Sequence, residues 1–166
     1  HGEMQGAHGL SGKWLMYEES IRVPMIIRDP RLPPRRRGSR PRQMALTIAL
    51  APTMLALAAV PAPEAMQGRD LGPLVRGDQV GWRSDWYYEH TYAHPPQHPI
   101  PRSEGVRTER WKYIRYTDYD PPHEQLFDLT ADPGEKQNLA TDAAEHTEAL
   151  ARLRARCDEY RQTLGP

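Results

Sequence analysis

Cysteine occurs once in the 166 residues, as Cys157, and phenylalanine also occurs once. A single thiol excludes an internal disulfide framework and cannot assemble a zinc site alone, so neither staple holds this chain together. It also leaves the compartment open. Aromatic packing must rest on the four tryptophans and eight tyrosines. An excess of charge is missing too: 22 basic and 22 acidic side chains cancel, which implies no general polyanion partner and no nucleic acid. Nor does any apolar run make a comfortable membrane span. Residues 35–63 do have the outline of a secretory signal, with a basic block, an apolar stretch and then small residues. More than thirty residues precede that segment, however, and Pro52 interrupts its apolar part. It reads instead as an Arg/Pro-rich surface loop followed by a buried helix. Ala51, Pro52 and Thr53 lie near the first turn of that helix, with Met54, Leu55, Leu57 and Val60 inside. No membrane role follows.

What is present is a loop-rich chain, with seventeen prolines and twelve glycines, and not a helical bundle. Its organisation is α/β. VPMII, residues 23–27, is a short apolar run bounded by prolines and fits a buried strand, with Glu18 and Glu19 in a short helix or turn just before it. Further on, WYYEHTY, EGVRTERWKYIRY and EQLFDL are aromatic and β-branched segments separated by Pro, Gly and Asp clusters, the pattern of an antiparallel meander. From about Ala143, Leu150, Leu153, Cys157, Tyr160 and Leu164 recur at helical spacing with Asp142 placed to cap, so one helix should pack on that sheet. Cys157 is then a buried small hydrophobe and no nucleophile. The boundary between the two parts falls between residues 80 and 81.

Chemistry concentrates at the opening, HGEMQGAHGLSGKW. Glycines let the backbone approach a ligand closely, and His and Lys are side chains that bind metals and anions. A frayed polar terminus is the competing reading. HTYAHPPQH spaces His90, His94 and His98 four apart, which on a helix would align them as ligands, but Pro95 and Pro96 make this a loop at a strand end. Arg107 suits a sugar carboxylate or sulfate, held bidentately, and Glu104 lies beside it in the same run; salt-bridged positions in the meander are the alternative for both.

The opening thirty residues, HGEMQGAHGLSGKWLMYEESIRVPMIIRDP, resemble the metal-and-anion segment of the sulfatase family, which belongs to the alkaline-phosphatase-like superfamily. The resemblance continues through LAPTMLALAAVPAPEAMQGRDLGPLVRG, EGVRTERWKYIRY and LFDLTADPGEKQNLA, and is nearest to the heparan-type, N-sulfoglucosamine-sulfohydrolase-like bacterial members. It implies a fold: residues 1–80 as the C-terminal portion of a catalytic α/β domain, and 81–166 as a small antiparallel sheet packed against a C-terminal helix. It also implies a site. The family's Asp-Asn/His pair ligates a divalent cation, usually calcium, and its second member falls on His1. The sulfate-binding lysine falls on Lys13, and His8 matches a histidine assigned to the substrate or leaving group. The family's equivalent of the HTYAHPPQH loop approaches the substrate pocket, which makes His90 a candidate substrate contact alongside Glu104 and Arg107.

The family's nucleophile is a formylglycine made from a C/S-x-P-x-R motif, and no such motif is present. The resemblance therefore implies a C-terminal part of a sulfatase, inactive alone, acting on a sulfated carbohydrate or other sulfate ester; it is compatible with a periplasmic or secreted setting and leaves a cytoplasmic one open. A phosphonate monoester or phosphodiester hydrolase of the same superfamily, and a non-catalytic module binding sulfated glycans, are the alternatives. One departure stands out: Ala49 occupies a position where an acidic residue is expected.

Overall fold

The computed structural model describes residues 1–92, 95 and 100–164. The chain forms two compact units, one made of His1–Pro24 with Asp85–Pro166 and the other of Met25–Ser84.

The first unit is built on a four-stranded antiparallel sheet: β1 (Asp85–His90), β2 (Ser103–Thr108), β3 (Trp111–Tyr116) and β4 (His123–Asp128), in the order β1-β2-β3-β4. This is the expected meander. Period-two alternation sorts its side chains onto two buried faces. Tyr87, Val106, Tyr113 and Leu126 point to one face and meet Leu150, Leu153 and Cys157 of a C-terminal helix. Ile114, Tyr116 and Phe127 point to the other, with Trp86 and Tyr88 at its margin, and meet Met4, Met16 and Tyr17 of the opening segment. That segment contains a four-residue helix, α1 (Glu18–Ile21). Gly105 is the point of closest approach, since a Cβ there would stand 2.4 Å from the Tyr113 carbonyl oxygen and 2.6 Å from the Met16 sulfur.

The second unit carries α2 (Leu50–Leu57) and α3 (Gly72–Arg76). Its core is small: Ala49, Leu71 and Leu74, flanked by Met25 and Trp82. Thr53 ties it together, donating to the Ala49 carbonyl at 2.6 Å and accepting from the Leu71 amide at 2.9 Å. Ala49 is buried among apolar neighbours, so the missing carboxylate at this position spares the core a desolvated charge. The C-terminal helix of the first unit is α4 (Ala143–Leu164).

Three expectations are corrected here. VPMII forms no regular element and pairs with no strand among the described residues, and Ile26 is 91% exposed. A strand bounded by prolines becomes buried only between neighbours in a sheet, and the one sheet among the described residues is β1–β4. The helix expected around Met54 forms, but Met54 is 64% exposed, Leu57 and Val60 are exposed as well, and only Pro52 and Thr53 are buried. The small core engages one side of α2 and leaves its longer apolar side chains without cover. On α4 the stripe is shorter than expected: Leu150, Leu153 and Cys157 are buried, Tyr160 is half-buried and Leu164 is exposed. Burial pushes the Cys157 thiol up to about 12, which keeps it protonated and inert.

Candidate functional site

The opening segment is an ordered loop that folds back on itself. Gly2 donates its amide to the Ser20 carbonyl at 2.7 Å, and Met4 donates to the Gly12 carbonyl at 2.8 Å. Only glycine fits at the first contact, because a Cβ on Gly2 would stand 2.0 Å from the Glu19 carbonyl oxygen. Between residues 5 and 12 the backbone is left-handed at Gln5, Gly6, His8, Gly9 and Gly12. His8, at φ 55°, is a non-glycine held in an unfavourable conformation. Such strain persists where surrounding contacts impose it, and it concentrates at functional positions.

Those contacts can be traced to the sheet. The His8 ring stacks on Tyr17 with centroids 4.1 Å apart, and Tyr17 packs against Phe127 of β4. The Tyr17 hydroxyl donates to Gln125 Oε1 at 3.1 Å, and the Tyr116 hydroxyl donates to the same oxygen at 3.0 Å. Glu19 Oε2 stands 3.7 Å from His8 Nε2, too far for a hydrogen bond, and this buried oxygen has no hydrogen-bond partner among the described residues. Lys13 is half-buried; its carbonyl accepts from Ser20 Oγ at 2.6 Å, whereas its ammonium has no ion pair among the described residues. The loop therefore carries both a lysine whose backbone is fixed and an imidazole stacked on Tyr17. Tyr17 and Glu19 went unassigned in the sequence, although both lie in the MYEES stretch that follows Lys13.

A buried charge cluster clamps α1 to the sheet. Lys112 is fully buried, with Nζ 2.6 Å from Glu135 Oε1 and 2.8 Å from Glu18 Oε1. Glu135 also accepts from the Glu18 amide at 2.6 Å. Burial works against the Glu18 charge, but Lys112 and Arg107 hold its carboxyl below the ordinary range; at Glu135 burial wins and the carboxyl is pushed up. The cluster joins MYEES to the DPGEKQNLA loop, which explains why two stretches more than a hundred residues apart both carry glutamates.

The other candidate residues are distributed as follows. Arg107 faces the opening segment, with Nε 3.3 Å from Glu18 Oε1, so it belongs to this clamp. Glu104 is on the opposite face of the sheet, where it accepts from Tyr87 at 2.8 Å and from Arg115 at 2.8 Å. The structure does not bring those two together. His90 closes β1, opposite Ser103, with its ring 5.8 Å from that of Trp14, one residue beyond Lys13. His94 and His98 lie outside the described residues. His1 is exposed, and its nearest partner is the neighbouring Gly2 carbonyl at 3.3 Å. No cluster of three His, Cys, Asp or Glu able to hold a metal ion occurs among the described residues. No described helix is long and apolar enough to cross a membrane.

An N-acetylglucosamine-6-O-sulfatase of Bacteroides thetaiotaomicron is 36% identical over 138 residues, covering 81% of this chain and 24% of that protein. A solved structure in complex with its substrate, D-glucosamine-2-N,6-O-disulfate, superposes with a TM-score of 0.78 at 30% identity, over 97% of this chain and 32% of the other. A phosphonate monoester hydrolase of Silicibacter pomeroyi superposes at 0.81 with 29% identity, over 98% and 33%. The chain thus spans a quarter to a third of the length of the proteins it matches. Residues 6–163 match the family described as N-sulphoglucosamine sulphohydrolase, C-terminal, and the chain belongs to that family.

Proposed function

We propose that the protein carrying this chain hydrolyses sulfate esters of sulfated sugars, and that residues 1–13 are this chain's contribution to the active site. The observation that carries the reading is Lys13: a half-buried ammonium with no carboxylate beside it among the described residues, fixed in a strained glycine-rich loop. Such a cation suits a sulfate oxygen and stabilises charge on the bridging oxygen as the S–O bond breaks. His8, oriented by Tyr17 and Glu19, is placed to contact the substrate or the leaving group. His1 would give one ligand to a divalent cation, calcium by family resemblance, with further ligands from the rest of the protein. A formylglycine from the rest of the protein would provide the nucleophile. We further assign residues 1–80 to the catalytic α/β domain and 81–166 to the smaller subdomain. Of the three candidate substrate contacts, His90 lies with its ring 5.8 Å from that of Trp14, next to Lys13, while Arg107 and Glu104 are engaged with Glu18 and with Tyr87 and Arg115.

The likeness to the phosphonate monoester hydrolase supports a second reading, in which the same positions hold a phosphonate or phosphodiester. Parallel assays of the longer protein expected from the length of its relatives separate the two. Faster turnover of an N- or O-sulfated glucosamine than of a phenyl phosphonate supports the sulfatase reading; the reverse order overturns it.

A further inference from the structure

The zero net charge of this chain conceals a segregation. Residues 25–84 carry ten arginines, no lysine and only four carboxylates, while the remaining residues carry twelve basic and eighteen acidic side chains. Most of the arginines in the sheet-bearing unit are neutralised in place: Arg107, Arg110, Arg115, Arg154 and Arg156 each have a carboxylate within 3.3 Å. The second unit differs. Arg31 pairs with Asp29 and Arg76 with Asp78, but Arg35, Arg37, Arg40 and Arg42 are all exposed and their guanidinium groups have no ion-pair or hydrogen-bond partner among the described residues.

These four do not hang on a slack tether. Arg36, in their midst, turns inward and donates from Nε to the Val75 carbonyl and from Nη2 to the Leu74 carbonyl, both at 3.1 Å. It thereby satisfies carbonyls at the end of α3, where Gly77 leaves room: a Cβ there would stand 2.5 Å from the Arg36 guanidinium carbon. A 3₁₀ turn at Pro34–Arg36 and a left-handed Gly38 shape the loop, and Pro30, Pro33, Pro34 and Pro41 restrict its backbone. One arginine is spent as an anchor and its four neighbours are left facing solvent. Ordinary solubility does not call for four like charges within eight residues, since their mutual repulsion opposes the compact loop.

We propose that the Arg35–Arg42 loop is a docking surface for a sulfated polysaccharide, made of residues other than the opening thirteen. The chemistry selects the ligand. A guanidinium is planar, weakly hydrated and able to give two parallel hydrogen bonds to one sulfate, whereas an ammonium gives a point charge, and here every cation is arginine. Residues 28–42 contain no aromatic side chain, so the loop offers no stacking platform to single-stranded nucleic acid. The preference for a glycan over duplex nucleic acid rests on the sulfated-sugar reading above; the existence of a polyanion surface does not. Such a surface would retain a long chain on the protein while successive sulfates are presented for hydrolysis, raising the effective concentration of the substrate.

The test is equilibrium binding of the 166-residue chain to heparin, to unsulfated heparosan, and to single- and double-stranded DNA oligomers of matched charge, across a salt series. Heparin is expected to bind tightest and heparosan weakest. Replacing Arg35, Arg37, Arg40 and Arg42 with Gln together should weaken heparin binding at least roughly tenfold and lower the salt slope by about one per arginine removed. A smaller variant, Arg40→Glu with Arg42→Glu, lies outside the anchored turn and should reproduce the loss without disturbing the fold. Lys136→Gln with Arg152→Gln, two exposed cations elsewhere, should change binding less than twofold. Unchanged heparin affinity in the loop variants overturns the proposal, and DNA binding tighter than heparin overturns the choice of ligand. If the loop variants lose heparin while the longer protein turns over no sulfate ester, the surface stands and the hydrolase reading falls. If binding is unchanged while the longer protein does turn over a sulfate ester, the surface falls and the hydrolase reading stands.

Discussion

The sheet-bearing unit and the Met25–Ser84 unit are built from similar kinds of residue but satisfy them differently. In the first, apolar side chains are covered on both faces of the sheet and most charges outside the opening loop are closed into pairs, down to a lysine with no exposure at all. In the second, a core of three buried residues carries isoleucines, leucines and methionines that remain in water, together with arginines that face no acid. The difference teaches that one unit covers its own core, whereas the other leaves much of its apolar surface and most of its arginines in water. A chain that covers a quarter to a third of its relatives would show this asymmetry if the apolar side of α2 and the VPMII segment are packed by the rest of a longer protein.

The strongest way to break that contrast is to attack the buried charge cluster. Lys112→Met strips the cation from both Glu18 and Glu135 and should cost about 3–5 kcal/mol, read as a drop in the urea midpoint of the sheet unit. A loss below about 1 kcal/mol would mean that the cluster is open to water. Next comes a matched pair of truncations. Leu153→Ala, inside the α4 seam, should cost about 2–5 kcal/mol, whereas Leu57→Ala on α2 should stay within about 0.5 kcal/mol. Equal costs would contradict the comparison.

Acid should separate the regions more gently. Arg102 holds Asp118 below the ordinary carboxylate range, Arg154 does so for Glu124, and Arg110 for Asp128, all in the sheet unit. A depressed carboxyl stabilises the fold above its ordinary value and loses that contribution as pH falls through its folded value. The sheet unit should therefore lose melting temperature as pH drops below 4.5, the ordinary value for Glu124. Glu135 runs the other way, because its raised carboxyl contributes most below 4.5 and loses that contribution as pH rises through its folded value. Glu135→Gln should accordingly steepen the acid loss, and a shallower one would reverse the assignment. The smallest expected effect on stability, but a visible one in solution, is Ile26→Lys with Met54→Lys. It should leave the melting temperature unchanged and reduce aggregation of the isolated chain, which static light scattering checks.

Much of the first unit was legible in the sequence because alternation and helical spacing report burial directly. WKYIRY sends Tyr113 and Ile114 to opposite faces, and Leu150, Leu153 and Cys157 mark the face of α4 that packs on the sheet. The same logic failed for VPMII and for the helix at Met54, since an apolar pattern states that a surface wants cover without saying whether the cover is in the same unit. The site divides in a similar way. Lys13 and His8 stand out as candidates from glycine spacing and family resemblance, whereas the stacking of Tyr17 on His8 is a contact that no spacing encodes. Arg107 and Glu104, neighbours in one strand, carry a pattern that fits both a binding role and a salt bridge. Only the period of two, which sends them to opposite faces, shows the partners each has taken.

The central claim is that the strained opening loop holds Lys13 for a sulfate. It is tested most directly by Lys13→Ala in the longer protein, with kcat for a sulfated glucosamine and bound divalent metal measured on the same preparation. The account predicts a fall in kcat of about a hundredfold or more with metal content unchanged, because an ammonium stabilises developing charge and ligates no cation. Near-normal kcat, or loss of the metal along with the activity, would contradict it.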